Sequence, residues 1–298
     1  MTLEALPDLL ARARAGGYAV GYFEAWDLDS LEVMAGVAER MRSPAIVGFG
    51  GLSADGAWLD AGGIRRSALV ARDVAESLSV PCVALLNEVS RVEQAEAGLD
   101  AGYNAAMLHT QGLSFDASAE VVAELVVAAH RRGAGAEGEI GEMPEEHAGV
   151  RRSGAEHLTT PEEAVAFVER TGVDCLAVAA GNAHFVVSGD RPPLRLERLA
   201  EITGAVSVPL VLHGGSGLPE HQVREAIAAG VAKVNVGTRL RQRFATAMAQ
   251  LACEVGEGSD FNELVGSRKP GDMVRRALVP VADEVERLTA VLMSDGRA

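Results

Sequence analysis

The chain has 298 residues, 48% of them hydrophobic, enough for one large domain or two small ones. Its formal charge of −15 at pH 7 disfavours nucleic acid and anionic membrane as partners, while leaving room for a local cationic pocket. Aromatics are only 4%, so the core has to come from Ala, Val, Leu and Ile.

In chain order, the opening "MTLEALPDLLARARAGG" has early acidic residues and no long apolar stretch, so it does not read as a signal peptide. No apolar run has the length of a membrane span. Cys82, Cys175 and Cys253 are far apart and no CxxC exists. The first two sit in apolar runs and read as buried thiols, which fits a reducing cytoplasm.

Short apolar runs then recur: 18–23, 44–49, 81–86, 105–109, 133–140, 175–180, 209–213 and 232–236. Each is followed by a segment of helical period. The fifth run, rich in Gly and Ala, is assigned a strand from its place in the series. Helices open near Asp27, Ser90, Asp116 and Pro219. Thr160-Pro161-Glu162-Glu163 reads as a capping box with proline in the first turn. Gly102 and Gly230 punctuate helix-to-strand passages.

Eight such repeats predict a (β/α)₈ barrel, the TIM-barrel fold, over about residues 5–245. An open doubly wound sheet is the competitor, weakened by the lack of GxGxxG after the first strand. The chain is read as one domain, 1–298, with a helical extension over about 246–298. Pro280 is expected to interrupt or kink the last helix. The polar stretch 141–160 is expected to be a mobile active-site loop.

Chemistry in such barrels gathers at the carboxyl ends of the strands. Those ends here carry Glu24, Asn87 with Glu88, His109, Glu139, His184, His213 and Asn235. Imidazoles with a carboxylate form a divalent-metal set. His184 and His213 follow neighbouring strands and are expected to converge. After them, "HGGSG" (213–217) and "NVGT" (235–238) offer glycine loops, backbone N–H groups and the hydroxyls of Ser216 and Thr238. These loops read as a phosphate cup.

The segments "GVDCLAVAAGNAH" and "VPLVLHGGSGLPEHQVREAIAAGVAKVNVGTRLR" resemble the class II, metal-dependent ketose-bisphosphate aldolases. The resemblance runs from about residue 5 to 245. It implies a barrel enzyme whose cation polarises a ketose carbonyl and stabilises the enediolate left by carbon–carbon cleavage. It implies His184 and His213 as metal ligands and Glu139 beside the metal. Gly181, Gly214, Ser216, Asn235, Gly237 and Thr238 fall at substrate- or phosphate-binding positions. Arg241 matches an arginine that contacts a second phosphate. The resemblance also implies Zn²⁺, with Mn²⁺ or Co²⁺ as alternatives, and a homodimer or homotetramer acting on a sugar or sugar phosphate.

The departures from that pattern cluster at the site. The family's acid/base aspartate after the third strand is Asn87, and the histidine ligand beside it is Glu88. His109 replaces an aspartate, Ser188 a lysine, Gly237 the aspartate of "NxDT", and Gly50 a serine. Glu24 and Trp26 replace asparagines. Glu88 and His109 are therefore candidate ligands. Glu88, Glu24, Glu142, Glu145 and Glu146 are candidate acid/base groups. Fructose 1,6-bisphosphate is not the expected substrate. An isomerase or epimerase with the same enediolate chemistry, or a sugar-phosphate binder without catalysis, are the alternative readings.

Overall fold

The computed structural model describes residues 3–144, 157–183 and 193–298, and the backbone alone at 146–147 and 150–151. Its centre is a closed barrel of eight parallel strands. These are β1 (Val20–Phe23), β2 (Ala45–Gly50), β3 (Cys82–Val89), β4 (Ala105–Leu108), β5 (Gly135–Ile140), β6 (Cys175–Val178), β7 (Leu210–Leu212) and β8 (Val231–Val236). Each strand pairs with the next, and β8 closes on β1 with Val20 opposite Lys233. All eight expected runs are strands, including the glycine-rich fifth.

Strand parity divides the apolar residues into two layers. Inward positions such as Val83, Leu85, Cys175, Ala177 and Val211 fill the barrel, plugged from below by Leu6, Leu9 and Leu10 of the helix Leu6–Gly16. Outward positions such as Leu86, Leu108, Leu176 and Leu212 pack against the helical wall. Thr160 and Glu163 form the anticipated reciprocal cap on the helix Pro161–Thr171, and Asp27 with Ser30 does the same for Leu28–Met41.

Of the two outcomes expected at Pro280, the last helix excludes interruption. Met273–Val291 runs as a single helix through Pro280. An internal proline costs about 3 kcal/mol, but Ala277 and Leu278 before it and Val281 and Val285 after it are all buried. That continuous apolar face packs on the helices Thr238–Ala252 and Leu28–Met41 and outweighs the lost hydrogen bond. No described helix is long and apolar enough to cross a membrane.

Cys82 and Cys175 are fully buried and Cys253 is exposed. Burial pushes the Cys82 thiol up to about 12, and burial with the nearby Glu137 carboxylate also raises Cys175 well above the ordinary thiol range. Thiolates are the reactive species. A thiol-labelling reagent at pH 8 should therefore modify one cysteine in the native protein and three after unfolding. Rapid native labelling of Cys82 or Cys175 would contradict this packing.

Candidate active site

Two irregularities in the barrel wall place charge inside it. Along β3, Val83 and Leu85 point inward and Ala84 and Leu86 outward, so simple alternation would send Glu88 outward. The register with β4 shifts between Leu86 and Val89, and Glu88 takes a φ of 51°. A bulge of this kind re-aims a side chain. Glu88 is buried, and its Oε2 accepts a hydrogen bond from Asn87 Nδ2 at 2.6 Å. A second shift, between Val231 and Lys233 on β8, leaves Ala232 and Lys233 both inside.

β5 contributes Glu137 and Glu139, two residues apart and hence on one face, opposite the inward Cys175 and Ala177 of β6. His213 ends β7 and lies among these carboxylates. Its Nε2 meets Glu137 at 2.9 Å, and its Nδ1 lies 3.1 Å from Glu139 and 4.0 Å from Glu88. Lys233 Nζ is 2.7 Å from the other oxygen of Glu137, donates to Asn235 Oδ1 at 2.7 Å, and sits 5.2 Å from the centre of the Tyr22 ring. Both ring nitrogens of His213 face acceptors, so both carry protons here. Burial opposes that charge, but Glu139, Glu137 and Glu88 outweigh it and raise His213 to about 10. Burial likewise disfavours the charge on Glu137, yet Lys233 and His213 hold its carboxyl below the ordinary range.

Glu88, His109 and Glu139 each present one ligand atom, all within 4.8 Å of one another. His109 Nδ1 is buried with no hydrogen-bond partner among the described residues. Three buried carboxylates, Glu88, Glu137 and Glu139, face one buried lysine and the charged His213 ring, which leaves the cluster one positive charge short. Such a set is costly to bury without further positive charge. The residues present therefore fit a divalent cation, with nitrogen and oxygen donors of the right kinds.

Beside the cluster is a cavity of about 180 Å³ lined by Glu88 and His213, by Gly214 and Ser216, and by Asn235, Gly237 and Thr238. Gly214 has a φ of 68°, and a side chain there would lie 2.1 Å from the Ala183 carbonyl oxygen. Only glycine fits that approach. It lets the chain turn directly from His213 into the short turn Gly215–Gly217. The Ser216 hydroxyl accepts from the N–H of Arg239 at 3.3 Å, joining this loop to the first turn of the helix Thr238–Ala252. The two glycine loops thus form one wall, with a helix N-terminus behind it.

The cavity is also lined by Glu24, Ser53 and Arg241. Arg241 Nη2 meets Glu24 Oε1 at 2.5 Å and Ser53 Oγ at 2.9 Å, and its guanidinium lies 5.4 Å from the Trp26 ring centre.

The structure thus brings together Asn87, Glu88, His213, Gly214, Ser216, Asn235, Gly237, Thr238, Arg241 and Glu24 around one cavity, with His109 and Glu139 in the adjoining donor cluster. Gly181, with a φ of 93°, turns the chain after β6 and does not line that cavity. Glu142 lines a different cavity, next to His157 and Glu163. His184 and Ser188 lie outside the described residues, as do the side chains of Glu145 and Glu146. The residues just before His184 are described. Asn182 donates to the His213 carbonyl at 3.1 Å, and Ala183 abuts Gly214. Sequence reasoning missed Glu137, and strand alternation does not give the inward direction of Lys233. The repeat Glu137-Gly-Glu139 at strand spacing was a usable signal for the first; the bulge that turns Lys233 inward has no local signature.

The chain matches the family "Fructose-bisphosphate aldolase class-II" over residues 4–297. It is 31% identical over 268 residues to a fructose-bisphosphate aldolase of Geobacillus stearothermophilus, covering 89% of this chain and 91% of that protein. Among solved structures it is similar to the YdjI aldolase of Escherichia coli K12, with a TM-score of 0.82, 27% identity and 99% of both chains covered. It shares the fold of the fructose-bisphosphate aldolase of Campylobacter jejuni, with a TM-score of 0.78, 18% identity, and 99% and 97% of the two chains covered.

Proposed function

Because the chain belongs to the class-II fructose-bisphosphate aldolase family, we propose that it is a metal-dependent lyase that cleaves and forms a carbon–carbon bond of a ketose phosphate. The substrate is one other than fructose 1,6-bisphosphate. The observation that carries this reading is the buried donor cluster Glu88, His109 and Glu139, with His213 against it, at the wall of a cavity that also holds two glycine loops.

His109, Glu139 and His213 would hold the cation; His184, which the family resemblance also implies as a ligand, lies outside the described residues. Imidazole donors favour zinc, and the carboxylate also suits manganese or cobalt. When bound, the cation supplies Lewis-acid stabilisation of negative charge on the substrate's carbonyl oxygen. The N–H groups of the 214–217 loop, Ser216 and Thr238 hold the phosphate.

Glu88 lines the cavity, whereas His109 and Glu139 do not. Its carboxylate takes the proton of the C4 hydroxyl as the C3–C4 bond breaks. The bonding pair stays on C3, and an aldehyde leaves. The same proton then returns to C3, releasing a triose phosphate. The Asn87 amide orients Glu88 by donating to Oε2 and exchanges no proton itself.

Incubating the zinc-loaded protein with a panel of ketose phosphates should release triose phosphate. Glu88→Gln should lower kcat by about 10²–10⁴. Solvent deuterium uptake without triose release would make the protein an isomerase or epimerase. Binding with neither outcome would make it a binder.

A further inference from the structure

The carboxylate of Glu24 occupies space that Gly50 leaves open, and the Glu24 side chain packs in ordinary contact beside Gly237. A side chain at Gly50 would lie 2.4 Å from Glu24 Oε2, and one at Gly237 would lie 3.4 Å from its Cβ. Three separate departures from the family pattern, Glu24, Gly50 and Gly237, are therefore one packed unit. That unit is anchored by Arg241, whose Nη2 is 2.5 Å from Glu24. Ser53 completes it, donating to the same Glu24 oxygen at 2.8 Å. Trp26 beneath the guanidinium fixes the orientation of Arg241.

The consequence is electrostatic. Among the described residues lining the cavity Arg241 is the one arginine or lysine, and its charge is compensated by the Glu24 carboxylate, which also lines it. The same cavity is lined by the glycine loops with Ser216 and Thr238, where an anion meets donors and a helix N-terminus. The cavity thus offers an anion cup and, distinct from it, a neutral pair of acceptor and donor.

Resting on the aldolase reading above, we infer that Glu24 is a specificity-determining residue and that the substrate is a ketose monophosphate. Its end remote from the phosphate is an uncharged polyol. Hydroxyl groups there donate to the Glu24 carboxylate and accept from the Arg241 guanidinium. A second phosphate at that end would have to displace Glu24 from Arg241 or sit against it, and like charge disfavours both.

The test is equilibrium binding by calorimetry, on the zinc-loaded full chain, of fructose 1-phosphate and fructose 1,6-bisphosphate. The wild type should prefer the monophosphate by at least about tenfold. Glu24→Gln, which keeps the size but removes the charge, should shift the affinity ratio at least about tenfold toward the bisphosphate. Adding Arg241→Met should reverse that shift. A wild type that binds the bisphosphate equally or better, a ratio unmoved by Glu24→Gln, or failure to bind either sugar would overturn the inference. Binding is read without turnover. A correct ratio with no triose release would leave the specificity assignment standing while refuting the lyase reading.

Discussion

Glu139→Ala is expected to lower the affinity for zinc by at least about 100-fold, while Glu88→Gln changes it less than about tenfold. Glu139 lies 3.1 Å from His213 Nδ1 and shares the donor cluster with His109, so its loss removes the oxygen between the two imidazoles. Glu88 stands on the cavity side of the same cluster, where its role is to move a proton. Affinity should also depend on pH. Before His213 Nδ1 can bind a cation it must release a proton held, in the cation-free protein, with a pKa of about 10. The apparent zinc affinity should therefore rise by about tenfold per pH unit from pH 6 to 8, and His213→Ala should flatten that slope. Competition titrations with a chromophoric chelator at several pH values give both quantities. Equal losses in Glu139→Ala and Glu88→Gln would reverse the division of roles between them.

Lys233→Met should destabilise the protein by about 3–5 kcal/mol, the cost of leaving a buried carboxylate without its partner. Lys233 and Glu137 are both fully buried, 2.7 Å apart, inside a barrel whose apolar filling includes Val83, Leu85, Ala177 and Val211. Lys233→Met combined with Glu137→Gln removes the stranded charge and leaves an acceptor for His213 Nε2. That double variant should recover at least half of the loss. Urea unfolding of the cation-free proteins measures both, with stability compared at one pH. A single variant within about 1 kcal/mol of the parent would show that Glu137 is not held as a buried anion.

The strand-and-helix alternation was legible because each strand is a short apolar run between helical segments with ordinary caps. Even the glycine-rich fifth strand could be placed by its position in the repeat. His213 and the glycine loops were legible for a related reason: the end of a barrel strand has a predictable place, and glycine marks a close backbone approach such as Gly214 against Ala183. The inward charges were harder. Period-2 reasoning fails at a bulge, and bulges at Glu88 and Lys233 put both residues where alternation forbids them. Pro280 does not interrupt its helix because a long buried face outweighs the lost backbone hydrogen bond. The meaning of Glu24 emerged only when Gly50, Gly237 and Arg241 were seen around it, since no spacing in the sequence links the four.

The most direct measurement is an anomalous-difference map at the zinc edge from crystals of the zinc-loaded protein. The expected result is one strong peak within bonding distance of His213 Nδ1, Glu139 and His109, facing the cavity beside Ser216. A map with no peak there, and His213 still resting against Glu139 at saturating zinc, would contradict the proposal that this barrel is built around a metal.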